Sequence, residues 1–171
     1  MAPRRIGPFS VPPIGLGCMN LSHAYGAPPS AEAGERLLLA ALHRGVTLLS
    51  DTPPDIAGFN ARDIRRSMPR FTAAADAANR ALLTQFQAVA AGLGITPAQL
   101  ALAWVLSRGE HVLAIPGTTQ IAHLHDNLGA AEVVLPPAAV ARVDALFAPG
   151  AVTGGRYSAA SQAEVDTEQF A

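Results

Sequence analysis

A chain of 171 residues, half of them apolar and 15% charged, is long enough to bury one core and too apolar to stay disordered. Its net charge of -1 leaves no basic footprint for nucleic acid or a membrane surface, and no stretch nears the ~20 continuous apolar residues of a membrane span. A single cysteine, Cys18, excludes an internal disulfide, and the Arg/Pro/Gly opening is no apolar signal core, so a cytoplasmic protein without membrane or nucleic-acid partners is expected.

Residues 5–17 read as short extended pieces around turns, with Gly7-Pro8 and Pro12-Pro13 as punctuation. Ser30 predicts a helix cap, with Glu32 and Glu35 in the first turns where the dipole favours anions. Leu37, Leu38, Ala41 and Leu42 form the expected buried stripe of that helix, and Gly45 its stop. Val46-Thr47-Leu48-Leu49 then reads as a short strand that delivers Asp51 at its C-terminal end. Residues 51–60 are turn-forming, and 62–70 are rich in arginine and weakly periodic.

Helical periodicity resumes over 73–93, with Leu82, Leu83, Phe86, Val89 and Ala90 on one face. Thr96-Pro97 predicts a cap and first position of the next helix, buried through Leu100, Ala103 and Trp104. Residues 111–115 read as a strand closed by Pro116-Gly117-Thr118-Thr119. A helix with Ile121, Leu124 and Leu128 follows, then a Val133-Val134-Leu135 segment and a last helix opened by Pro136-Pro137. The tail beyond Pro149 has no period and is expected to be loose. Helix and strand alternate at both ends, which favours a parallel α/β architecture. Too few strands are visible, and the chain is too short, for a closed eight-stranded barrel of ~250 residues.

The run Val11-Pro12-Pro13-Ile14-Gly15-Leu16-Gly17-Cys18-Met19, with His23-Ala24-Tyr25-Gly26 after it, resembles the opening of the aldo/keto reductases. Gly45-Val46-Thr47-Leu48-Leu49-Ser50-Asp51-Thr52 is similar to that family's Gly-Val-Thr-X-X-Asp-Thr strand, with one extra residue. Thr96-Pro97-Ala98-Gln99-Leu100-Ala101-Leu102-Ala103-Trp104 resembles its penultimate barrel helix. Ile115-Pro116-Gly117-Thr118-Thr119, then Leu124 and Asn127-Leu128-Gly129-Ala130, resembles its last strand, loop and helix. Asp63-Ile64-Arg65-Arg66-Ser67-Met68-Pro69-Arg70-Phe71 is similar to a segment late in one larger subgroup.

The resemblance implies an incomplete TIM (β/α)8-type barrel that retains the first and last βα units. Residues 1–150 would form one partial domain with an internal deletion near 52–60, and 151–171 a C-terminal tail. It also implies a family reaction in which NADPH gives hydride to an aldehyde or ketone while a tyrosine protonates the oxygen. Asp51 is the one catalytic position carried over. Ile56 stands where the family places that tyrosine, and the strands bearing its lysine and histidine have no counterpart.

All twelve basic residues are arginine, so the chain holds no lysine, and its tyrosines are Tyr25 and Tyr157 alone. A free tyrosine has a pKa of about 10 and needs a neighbouring cation to act as an acid near neutrality. Without lysine, neither this chain nor a homo-oligomer of it rebuilds the family's tetrad.

By the same resemblance Gly117, Thr118 and Thr119 would meet the adenosine 2′-phosphate of NADP. His123 would flank it, and Asp126 and Asn127 would reach adenine, while Gly17, Cys18 and Met19 would line the nicotinamide side. A glycine before a helix N-terminus admits close backbone approach to an anion, but residues 117–130 contain no lysine or arginine. An ordinary capped helix is the competing reading. The five histidines show no metal-ligand spacing, so no metal is expected. A small carbonyl substrate would be the partner if the chain is active. If it is inactive, the alternatives are a nucleotide- or phosphate-binding remnant and an interaction fragment that self-associates through unpaired strands.

Overall fold

A computed structural model describes residues 2–22, 27–50, 57–58, 62–63 and 68–163. The chain opens with an antiparallel hairpin of β1 (Arg4–Ile6) and β2 (Phe9–Val11), turned at Gly7 with φ +54°. β3 (Leu16–Gly17) leads into the short helix α1 (Met19–Ser22), and α2 (Ala31–His43) precedes β4 (Leu49–Ser50). β5 (Ala57–Gly58) and β6 (Arg62–Asp63) pair antiparallel. A 3-10 turn (Pro69–Phe71) then leads to α3 (Ala73–Gly92), α4 (Pro97–Leu106), α5 (Ile121–Gly129), α6 (Pro137–Leu146) and α7 (Ala159–Gln162).

The caps follow the local sequence. Ser30 Oγ accepts from Ala33 N–H at 3.3 Å, and Thr72 Oγ1 from Ala75 N–H at 3.4 Å. Thr96 and Gln99 form a reciprocal capping box ahead of Pro97. A hydrogen bond from its own backbone and one from Ser30 hold the Glu32 carboxyl below the usual carboxylate range. Gly45 ends α2 with φ +80°, a conformation that favours glycine.

The core is built on a parallel array with β3 at its centre. Leu16 N–H donates to Leu48 O at 3.0 Å on one side. Gly15 and Gly17 N–H groups donate to Ala114 O and Pro116 O, at 2.8 and 3.1 Å, on the other. Backbone donors alternate along a strand, so β3 bonds β4 with one set and residues 114–117 with the other. Ile14 and Leu16 share a face and are fully buried with Leu37 and Ala41 of α2, Leu106 of α4, and Leu124 and Leu128 of α5. Helices therefore cover one face of a small parallel sheet. A second core, Phe86, Val89 and Ala90 of α3 with Leu100 and Val143, joins α3, α4 and α6. Among the described residues no single helix is long and apolar enough to cross a membrane.

Several expectations change. The stretches 46–50 and 111–117 contribute two-residue β4 and isolated bridges, shorter than the strands predicted. In α2 the buried stripe narrows to Leu37 and Ala41, because the helix meets the sheet and α5 along one line, which leaves Leu42 51% exposed. The tail is not loose at Thr153 and Gly154. Asn79 accepts from Thr153 N–H at 2.9 Å and donates to Thr153 O at 3.0 Å, which fastens that segment to α3.

Candidate functional site

The ends of β3, β4 and the 114–117 segment lie in register: Ser50 is the partner of Gly17, and Gly17 is the partner of Gly117. The C-terminal edge of a parallel sheet is where loops and helix N-termini converge, and reactive groups collect there. Asp51 would follow Ser50 at this edge but lies outside the described residues, as do Tyr25 and Ile56. Gly17, Cys18 and Met19 pass along the edge into α1. Cys18 is partly buried against the main core, with its thiol directed at Leu16 O at 3.6 Å.

Beside this edge is a cleft of about 320 Å³ between the start of α4 and α5. Gly117, Thr118, His123, Asp126 and Asn127 line it, together with Thr96. The structure thus gathers five of the six residues expected in the last strand-loop-helix unit. Thr119 is exposed and is not part of the lining. A Cβ on Gly117 would lie 2.6 Å from Asn20 Oδ1, so any other residue here would push the Asn20 side chain of α1 aside.

The side chains differ in what they leave free for a ligand. Thr118 is buried, and its hydroxyl accepts from Gln120 N–H at 3.0 Å while reaching Gln120 O at 3.3 Å. That hydroxyl shapes the turn ahead of α5. The α5 N-cap position, Gln120, makes no side-chain cap, so the first-turn amides of α5 are left for water or an anion. Asp126 accepts from Thr96 Oγ1 at 2.9 and 3.1 Å, and its carbonyl accepts from Gln99 Nε2 at 3.3 Å. Its carboxylate is thereby fixed across the cleft against the α4 cap. Asn127 is buried and His123 exposed.

Sequence reasoning places neither Asn20 nor Thr96 in the site. Thr96 is legible as a cap, but its bond to Asp126 depends on α4 and α5 packing together. Asn20 carries no motif. With uncapped amides, a glycine that admits close approach and a carboxylate and amide on α5, the cleft suits the adenosine and phosphate end of a nucleotide. It supplies no cation to the phosphate. Among the described residues no group of histidine, cysteine and carboxylate side chains could hold a metal ion.

The model of the aldo/keto reductase family matches residues 55–148. A Schizosaccharomyces pombe protein named NADP(+) aldo-keto reductase yakc is 36% identical over 130 residues, covering 75% of this chain and 38% of that protein. A Glycine max protein named probable aldo-keto reductase 1 is 41% identical over 92 residues, covering 54% of this chain and 27% of that protein. The chain spans well under half the length of both relatives.

Proposed function

The chain belongs to the aldo/keto reductase family of oxidoreductases, and we propose that it keeps a nucleotide cleft at Gly117–Asn127 while lacking the groups for carbonyl reduction. On this reading β3 and the 114–117 segment are the first and last strands of a family barrel, which are neighbours when such a barrel closes. Their direct pairing across the sequence supports it. Apart from β4, which pairs in parallel with β3, most of the intervening strands of such a barrel have no counterpart in a chain of this length.

The observation that carries the functional reading is the absence of lysine from all 171 residues. NADPH, when bound, supplies the hydride. The chain must still place a proton on the carbonyl oxygen, and a tyrosine does so near neutrality only beside a cation that lowers its pKa. Tyr157 lies in the tail with Arg156 5.8 Å from its ring, and neither residue lines the Gly117 cleft. No cation lines the Gly117 cleft. Asp51 lacks the lysine with which the family's reaction would pair it.

At the cleft, first-turn amides of α5 and the Gly117 backbone would meet the 2′-phosphate, His123 would flank it, and Asp126 and Asn127 would hold adenine, while Thr119 stays outside the lining. NADP binding rests on this arrangement and on the name of the Schizosaccharomyces pombe relative. Titrating NADPH against Trp104 emission tests it. Saturable quenching that NADH reproduces only weakly is expected, since NADH lacks the 2′-phosphate. A linear, unsaturating response would remove the nucleotide reading. Carbonyl-dependent NADPH oxidation is expected to stay at the level of a protein-free blank. A rate clearly above the blank would overturn the loss of chemistry.

A further inference from the structure

On the outer surface, a second cleft of about 350 Å³ lies between α3, the Pro69–Phe71 turn and the tail, and shares no lining residue with the Gly117 cleft. Its volume falls in the range of about 300–1,000 Å³ common to small-molecule sites. Phe71, Leu83, Phe147 and Val152 converge on it, all four exposed. Exposed apolar side chains are ordinary when scattered, but here they share one concave surface with two arginines.

The two arginines differ. Arg80 pairs with Asp76 one helical turn away, Nε to Oδ2 at 2.7 Å, so its charge is already balanced. Arg70 Nε is buried and has no hydrogen-bond partner. Arg70 also lines the cleft and makes no ion pair among the described residues, and a carboxylate meets such a charge with charge-assisted bonds to its outer nitrogens. The backbone carrying Arg70 is held in place from two sides. Its carbonyl accepts from Asn79 Nδ2 at 3.5 Å, and the tail presses so close that a Cβ on Gly154 would lie 2.6 Å from Arg70 Cα. Arg70 thus stands on an anchored backbone at the edge of an apolar floor.

We propose that this cleft binds an aliphatic monocarboxylate, with the carboxylate on the Arg70 guanidinium and the chain lying on Phe71, Leu83, Phe147 and Val152. One unbalanced positive charge selects a monoanion over a cation or a neutral amphiphile. The apolar lining selects a hydrocarbon body over a sugar or nucleotide.

Calorimetric titration of the full chain with decanoate tests the proposal. Saturable one-to-one binding is expected, with decanol and decyltrimethylammonium weaker by about tenfold or more. Nuclear Overhauser contacts should join the ligand chain to the Leu83 and Val152 methyls. Arg70→Gln should weaken decanoate by about tenfold, and Arg80→Gln by much less. Absence of saturable heat, equal binding of decanol, or ligand contacts at other methyls would each overturn it. So would undiminished binding by a folded Arg70→Gln. The ligand series and the methyl contacts use the unaltered chain, so they decide the matter even if Arg70→Gln does not fold.

Discussion

Gly17 and Gly117 lie side by side as partners of a parallel bridge, and the Gly17 N–H donates to Pro116 O at 3.1 Å. A Cβ on Gly17 would come within 2.7 Å of Ile115 O and 3.2 Å of Gly117 N, both backbone atoms that cannot swing away. Gly17→Ala is therefore expected to destabilise the fold by about 1–3 kcal/mol, the usual cost of overpacking. Gly34→Ala makes the control. Gly34 is interior to α2, its added Cβ would meet nothing within 4 Å, and a gain of about 0.5–1 kcal/mol is expected. Urea unfolding of the two variants measures both signs. A neutral Gly17→Ala would mean that the first and last strands are not packed this closely.

Arg4 fastens the N-terminal hairpin to the far end of the sheet. Its guanidinium donates to Leu106 O at the C-terminus of α4 at 3.1 Å, to Gly109 O at 2.8 Å and to Val112 O. The last carbonyls of a helix lack intrahelical donors, and a cation there also suits the dipole. Arg4→Ala is expected to cost about 1.5–3 kcal/mol. Arg5, whose contacts to Gly7 O and Pro8 O are exposed and long at 3.5 and 3.4 Å, should tolerate alanine within about 0.5 kcal/mol. Equal effects of the two substitutions in thermal unfolding would remove this role from Arg4.

What can be read from the amino-acid order divides by range. Ser30, Thr96 and Gly45 mark helix ends through bonds or dihedrals within a few residues, so their roles are legible in the sequence alone. The stripes are legible where neighbours cover a helix along one line, as with Leu37 and Ala41. They are overdrawn at Leu42 and Leu83, since periodicity records which face is apolar and not how much of it a neighbour covers. The contacts of Arg4 with residues 106–112, and of Asn79 with Thr153, are set by tertiary packing and leave no local signature. The ordered part of the tail therefore has no counterpart in the periodicity. At the site, residue types point to Gly117, His123, Asp126 and Asn127. Thr118 matches a phosphate ligand by type and position, yet its hydroxyl is engaged with Gln120. Only the packing of α4 on α5 shows Thr96 holding Asp126.

That bond makes Thr96 a joint between stability and the cleft. Its hydroxyl accepts from Gln99 N–H at 3.1 Å and donates to Asp126. Thr96→Val keeps the shape and removes both bonds, with an expected loss of about 1–2 kcal/mol, while Thr96→Ser should restore most of it. Because Asp126 is then released from the α4 cap, NADPH affinity should change more than in Thr84→Val. The Thr84 hydroxyl bonds only within its own helix, to Arg80 O. If Thr96→Val and Thr84→Val shift the NADPH titration alike, Asp126 is not positioned through Thr96.

The parallel array should also govern association. β4 pairs with β3 on one side and, among the described residues, with no strand on the other. Leu49, on this edge strand, is 44% exposed, and Ile115, on the opposite face of the sheet, is 46% exposed. An apolar strand with one unpaired edge is a template for pairing with another chain, and a lysine on it is the device by which folded proteins block such pairing. The chain has no lysine of its own to serve in this way. Light scattering is therefore expected to show a mass that rises with concentration above that of the 17.6 kDa chain. Leu49→Lys should return it toward the monomer, and Ile115→Lys should do so less, because its effect is on the face and not the edge. A monodisperse monomer at every concentration would rule out association through β4. A rise that Leu49→Lys leaves unchanged would move the contact elsewhere on the surface.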